Sequence, residues 1–300
     1  MKSGPGNRGQ SAGELIAAVA RRLRRAPVFF GHGTDNARDE AAALVFHAMH
    51  LAHDAPATVL RRRATTAQRE RIDALLERRI QQRVPLSYLT HEAWFAGLRF
   101  YVDERVLIPR SPFAELIERR FEPWIDARRV TRALDLGTGS GCIALAMAKA
   151  FPRARVDAVD IDTGALEVAA INRRRLRLTR RVRLIESDHF AALSGESYDI
   201  IASNPPYVGQ REMRGLPREY RHEPALALES GREGLDSVAV ILRQAGDHLR
   251  SRGLLVVEVG NTERALKRAY PRLPFTWLDF ERGGGGVFLL TREQLAQAAF

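Results

Sequence analysis

The sequence predicts an α/β fold: a mostly parallel sheet with helices on both faces, joined to a small N-terminal helical domain. Three observations predict it. From about residue 130, strand-like apolar runs alternate with helical stretches. The first of these runs leads into a glycine-rich turn, Gly137-Thr138-Gly139-Ser140-Gly141. Before residue 90 the apolar spacing is helical throughout, with no strand signal.

The N-terminus, residues 1–11, is Gly/Ser-rich and polar and reads as flexible. Ala12 to Arg25 has helical spacing and is ended by Pro27. Asp35 to Ala52 carries Ala42, Val45, Phe46 and Met49 on one stripe, and Thr65 to Arg83, capped by Thr65 or Thr66, buries Ile72, Leu75, Leu76 and Ile80. Residues 12–90 hold no catalytic signature and read as a substrate-recognition domain. Residues 91–112 form a connector: Trp94 to Val102 alternates about Gly97 as a hairpin does, and two prolines stiffen the chain around Arg110. Residues 113–300 form the catalytic domain. Its strands are expected at Val130–Leu136, Arg155–Ile161, Val182–Ile185, Tyr198–Ser203 and Leu254–Val259, with helices between them. Phe275–Phe280 and Val287–Leu290, joined through Gly283 to Gly286, close the sheet as an antiparallel edge hairpin.

Composition narrows the class. One cysteine, Cys142, excludes an intrachain disulfide framework and a cysteine-rich metal site, and no metal site is expected. No apolar run approaches the roughly 20 residues of a membrane span, so we read a soluble cytoplasmic protein without a membrane partner. The net charge is +11; its positive side is nearly all arginine, which clusters at 21–25, 61–63 and 173–175. That excess points to a polyanionic partner.

In a sheet of this kind ligands sit beyond the carboxyl ends of the strands. Four features fall there in chain order. The glycines of the turn after Leu136 let the backbone approach a ligand closely. Asp135, just before it, repels phosphate but suits the ammonium of an amino-acid-bearing nucleoside. Asp160, at the end of the next strand, can accept both ribose hydroxyls. Asp188 can accept from an adenine amine while His189 or Phe190 packs on the ring. The last feature is Asn204-Pro205-Pro206-Tyr207, where two prolines without N–H groups end the ladder and stiffen the exit. Asn204 and the Pro205 carbonyl can accept the two hydrogens of a planar NH2 group, with Tyr207 stacked on its plane. The glycine spacing is G-x-G-x-G rather than the G-x-G-x-x-G that seats a pyrophosphate, which favours S-adenosylmethionine over NAD. Asn204 borders cofactor and substrate alike. Phe100 or Arg110, from the connector, reaches the same site.

With these motifs the chain resembles the HemK/Prm family of S-adenosylmethionine-dependent methyltransferases, which act on the amide nitrogen of glutamine in proteins. The resemblance spans residues 85–290 and implies a Rossmann-like sheet. Pro109-Arg110-Ser111-Pro112-Phe113-Ala114-Glu115 departs from the Pro-Arg-Pro-Glu-Thr-Glu of release-factor enzymes. Together with Ala93-Trp94-Phe95-Ala96-Gly97 and Tyr220-Arg221-His222-Glu223-Pro224, it resembles the branch called PrmB. This branch implies a glutamine of a large-subunit ribosomal protein as substrate, with ribosomal RNA a possible contact of the basic surface. The other readings are a release-factor glutamine methyltransferase, an amino-methyltransferase acting on adenine in RNA or DNA, and a non-catalytic ribosome-binding module. An intact glycine loop and Asn204 disfavour the last.

Overall fold

The computed structural model describes residues 9–297. The chain divides into two compact units, Met1–Glu92 with Pro217–His222, and Ala93–Leu216 with Glu223–Phe300. Of the N-terminal stretch expected to be flexible, residues 1–8 lie outside the described residues. The remainder is held: Ala64 N–H donates to the Gln10 carbonyl, and Ser11 caps the first helix in a capping box with Glu14.

The first unit is helical: α1 (Ala12–Arg25), α2 (Ala37–Ala48), α3 (Thr66–Glu77) and the short α4 (Leu86–Thr90). Asn36 caps α2, and Thr65 forms a capping box with Gln68 at the start of α3. The buried stripe of α2 includes Ala37, Ala41, Leu44, Val45 and Ala48; of the stripe expected, Val45 and Met49 are buried, whereas Ala42 and Phe46 lie at its margin. Beyond α3 the chain makes one π turn, Arg78–Gln82, and this turns Arg79 inward. Arg79 is 1% exposed. Its Nε donates to Glu40 at 2.6 Å, one terminal nitrogen to Glu219 at 3.0 Å, and the other to the Phe29 carbonyl at 2.6 Å. Glu219 arrives with the Pro217–His222 segment and also accepts from Phe29 N–H and Arg83. Every charge in this cluster is therefore paired, the condition under which buried ions are tolerated.

The second unit begins with the hairpin β1 (Ala93–Phe95) and β2 (Leu98–Phe100), followed by α5 (Phe113–Glu118). The main sheet holds β3 (Arg132–Leu136), β4 (Arg155–Asp160), β5 (Val182–Glu186), β6 (Tyr198–Ser203), β7 (Leu249–Glu258), β8 (Thr276–Leu278) and β9 (Val287–Thr291), in the order β5-β4-β3-β6-β7-β9-β8. The strands β5 to β7 pair in parallel; β9 runs antiparallel to both β7 and β8. The sheet is thus Rossmann-like with the expected antiparallel pair at one side, its second strand the inner one. Helices α6 (Cys142–Ala150), α7 (Thr163–Arg175), α8 (Gln210–Met213), α9 (Asp236–His248), α10 (Glu263–Ala269) and α11 (Arg292–Ala296) complete it.

Side-chain alternation assigns the two faces. Ala133, Ile200, Ala202, Leu254 and Val256 pack with α5 and α6 on one side. Leu134, Leu136, Ile201, Leu255 and Val257 pack with α9 on the other. Both faces being covered, the strands read as continuous apolar runs rather than alternating ones. At about 25 cal/mol per Å² of apolar surface, this two-sided burial is the main stabilising term. The order reverses between β3 and β6, which opens the crevice at their carboxyl ends. Among the described residues, no helix is long and apolar enough to cross a membrane.

Candidate functional site

A cleft of about 410 Å³ lies at those strand ends in the second unit, within the range of small-molecule sites. The glycine turn forms one wall. Gly137, Gly139 and Gly141 all have positive φ, at 69°, 52° and 80°, so side chains there would strain the backbone. A Cβ on Gly139 would meet nothing within 4 Å, so the space above it is open to a ligand. Asp135 holds the turn from below: its Oδ2 accepts from Thr138 Oγ1 at 2.6 Å and from the Ala144 N–H of α6 at 3.0 Å. Asn172, fully buried on α7, donates to the Ser140 carbonyl and to Tyr101, and accepts from Tyr101 N–H at 2.7 Å. It fastens the connector to the turn.

Asp160 ends β4, where its carboxylate accepts from Gly139 N–H at 2.8 Å and Asp162 N–H at 3.0 Å. Burial pushes its pKa up. Asp188 and His189 line the same end of the cleft. His189 Nδ1 lies 2.6 Å from Asp188 Oδ1, and its Nε2 lies 2.8 Å from Ser237 Oγ, at the start of α9. At the other end are Asn204, Pro205 and Pro206. The Asn204 Oδ1 and Ser140 Oγ atoms are buried with no partner. Such orphans are uncommon and cost about 1–3 kcal/mol each. An open glycine cradle with the Ser140 hydroxyl and an acid at the ribose end suit S-adenosylmethionine. Asp160 and Asp188 would hold its nucleoside and the glycine turn its amino-acid part.

The connector closes the near side. Arg105 to Ser111 line the cleft, and Arg110 is clamped by Glu223 in a two-point pair at 2.5 and 2.7 Å. Glu223 also accepts from Ile108 N–H. The chain from Val208 to Leu235 is partly helical and is pinned at Val208, which bridges Glu229. Its return from Pro224 to Gly231 contributes lining residues, with Leu226 58% exposed.

Five residues stand elsewhere than expected. Gly141 lies outside the lining, against α6 and α7, where a Cβ would meet Leu145 at 3.1 Å and Ala169 at 3.2 Å. Phe100 is wholly buried, edge-on to Phe95 in the core beneath the connector, because β2 turns that face inward. Phe190 is 4% exposed and stacks on His248 at 4.6 Å, outside the cleft lining. Asp135 lies wholly buried behind the turn and outside the lining, where desolvation raises its pKa to about 7. Tyr207 also lies outside the lining: its ring lies against Gly260, where a Cβ would come within 2.6 Å of it. The other residues named from sequence meet in this one cleft: Arg110, Gly137 to Ser140 of the glycine turn, Asp160, Asp188, His189, Asn204, Pro205 and Pro206.

Sequence reasoning missed Glu258. At the end of β7 it is 6% exposed and accepts from Tyr207 OH at 3.1 Å and from Ser111 Oγ at 2.5 Å. Desolvation raises its pKa to about 7 against those hydrogen bonds. One carboxyl thus joins the connector to the Asn-Pro-Pro-Tyr exit. A glutamate inside the apolar run Leu254 to Val259 was the available signal.

Residues 121–219 match the methyltransferase small domain family. The chain is 50% identical over 95% of its length to the ribosomal protein uL3 glutamine methyltransferase of Xanthomonas campestris pv. campestris, covering 93% of that relative. It is 49% identical over 94% of its length to the protein of the same name from Neisseria meningitidis serogroup B, again covering 93%. The Bordetella pertussis relative is 47% identical over 95%, with 96% of it covered. Among solved structures, the hMettl16 catalytic domain in complex with the MAT2A 3′UTR hairpin 6 superposes with a TM-score of 0.51 at 17% identity, over 75% of this chain and 80% of that one. That likeness is one of fold.

Proposed function

Because the chain belongs to the family of ribosomal protein uL3 glutamine methyltransferases, we propose that it methylates the side-chain amide nitrogen of a glutamine in ribosomal protein uL3, in the cytoplasm. The observation that carries the chemistry is the unpaired, buried Oδ1 of Asn204 in the cleft. S-adenosylmethionine, when bound, supplies a methyl group made electrophilic by the sulfonium.

The chain's own residues address the nucleophile. An amide nitrogen is a poor one, since its lone pair is shared with the carbonyl. Asn204 Oδ1 and the Pro205 carbonyl accept its two N–H groups and orient the lone pair out of the amide plane. Pro205 and Pro206 bring no N–H of their own to compete. As the nitrogen gains a bond and positive charge develops on it, both hydrogen bonds strengthen, which is stabilisation specific to the transition state. The nitrogen gives up one proton once it has become acidic. Arg110 and the return from Pro224 to Gly231 border the path of the glutamine, and Glu258 fixes the Tyr207 end of the exit. The helical unit is the substrate-recognition element in this reading, and its charge suits a partner that lives beside ribosomal RNA.

The test uses tritiated S-adenosylmethionine with the purified protein and offers uL3, peptide release factor and protein-free ribosomal RNA in parallel, with the label located by mass spectrometry. Label on a glutamine of uL3 alone is the expected result. Label on release factor keeps the chemistry and overturns the substrate, and label on RNA overturns both.

A further inference from the structure

The positive charge is unevenly distributed. The first unit contains 17 Lys and Arg against 10 Asp and Glu, a net +7. The second, about twice as long, contains 30 against 26, a net +4. Within the first unit the charge converges. A depression of about 520 Å³ is walled by Arg22, Arg25, Arg83 and Arg218, and no acidic side chain lines it. A neighbouring depression between α1 and α3, which shares Arg22, balances Arg22 and Arg69 with Glu70 and Asp73, and so presents no such excess.

We propose that this four-arginine depression is a binding site for the phosphate backbone of RNA. Three separate stretches of chain supply it. Arg22 and Arg25 share a face of the last turn of α1, three residues apart. Arg83 follows the π turn, donating to the Pro27 carbonyl and to Glu219. Arg218 comes from the segment that also carries Glu219. A helix C-terminus alone favours cations in its last turn, which accounts for Arg22 and Arg25 but not for the other two. Arg22 is spanned by Asp73 at 3.2 Å and Glu77 at 3.5 Å, both exposed, so a phosphate can displace them at little cost. The side chains of Arg25 and Arg218 make no hydrogen bond or ion pair among the described residues.

A polymer fits better than a lone anion. Arg21 and Arg24 extend the charge around the end of α1. At the helix's other end, about 20 Å away, Ala12 N–H donates to the Arg62 carbonyl, which places Arg61 to Arg63 there. Cations spaced along such a length meet successive phosphates, without reading bases. The proposal rests on the ribosomal reading above only for the choice of RNA among polyanions.

The test measures fluorescence anisotropy of an RNA hairpin of roughly 20 nucleotides on the full chain, from about 50 to 300 mM salt, with pyrophosphate and poly-glutamate as competitors. The variants are R25E/R218E and, removing charge without reversing it, R25Q/R218Q, with Tm measured to confirm folding. Expected are at least a tenfold loss of RNA affinity in both and a salt slope reduced by about 1–2. Wild-type protein that does not bind RNA overturns the site. So does equal competition by poly-glutamate, which marks a general polyanion surface, or by pyrophosphate, which marks a lone-anion pocket. RNA binding that survives both variants overturns it too. Failure to methylate uL3 would instead overturn the assigned substrate and leave the RNA measurement standing.

Discussion

Two polar clusters are buried in this chain, and they are built on opposite terms. Around Arg79, every charge has a partner: Glu40, Glu219, Arg83 and the Phe29 backbone close the set. In the cleft, Asn204 Oδ1 and Ser140 Oγ are buried and left without one. Both arrangements cost desolvation. The first recovers that cost within the chain and serves folding; the second recovers it only when something enters, and serves binding and turnover. Asp135 Oδ1, behind the turn, is unpaired too, so it is position in the cleft together with the missing partner that marks the second set as functional.

The largest effect should come from breaking the closed set. Arg79→Met leaves the buried Glu40 carboxylate without a cation and Glu219 with Arg83 alone, which costs about 3–5 kcal/mol. Denaturant unfolding should register it, and adding E40Q and E219Q should recover most of the loss. A variant as stable as wild type would show that the cluster is not the closed structural unit described. The open set should respond in the reverse sense. Asn204→Ala removes an acceptor that has no partner within the chain, so stability should hold or rise slightly while kcat falls about 10²–10³-fold. Calorimetry should find cofactor affinity within about twofold of wild type. Near-normal turnover would remove Asn204 from the mechanism.

Asp160→Ala lies between the two, since that carboxylate serves both Gly139 N–H and the proposed ribose hydroxyls. Losing hydrogen bonds to a charged group is worth about 1.5–3 kcal/mol, so cofactor affinity should weaken by about 10- to 100-fold, with KM rising more than kcat falls. Unchanged affinity would withdraw the assignment. The smallest effect is a change of slope. Glu258 keeps its proton up to about 7 in the fold, against an ordinary value of 4.5. Between those values the folded state binds more protons than the unfolded chain, so this group's contribution to stability falls as pH rises through that window and is flat outside it. Glu258→Gln should flatten that part of the Tm–pH curve. A curve of wild-type slope would mean that Glu258 is ionised throughout.

The functional set was more legible in the sequence than the structural one. The strands β3, β4 and β6 announce themselves as apolar runs because both sheet faces are covered, and the glycine turn and the Asn-Pro-Pro-Tyr exit are local in sequence. The Arg79–Glu219 pair spans 140 residues, and no periodicity in either segment reports it. Phe100 was misplaced because alternation in a short hairpin separates two faces without saying which one is buried; Trp94, 45% exposed, lies on the outer face. Asp135 was misplaced for a related reason. Its position next to the turn was plain, but whether it stands in front of the backbone or behind it depends on Thr138 and the first turn of α6. Glu258 went unnoticed because its partners, Ser111 and Tyr207, lie 147 and 51 residues away.

The path of the chain has a practical consequence for dissecting the protein. Leu216 and Glu223 belong to one unit and the six residues between them to the other, so the backbone passes between the units three times rather than once. A protease cut after Glu92 severs a single passage and leaves residues 217–222 seated among the helices. A fragment starting at Ala93 would carry the Glu219 carboxylate without Arg79 and Arg83, and a fragment ending at Glu92 would hold Arg79 with only one of its two acids. The sound dissection removes 217–222 from the catalytic fragment and grafts them, through a short linker, onto the helical one.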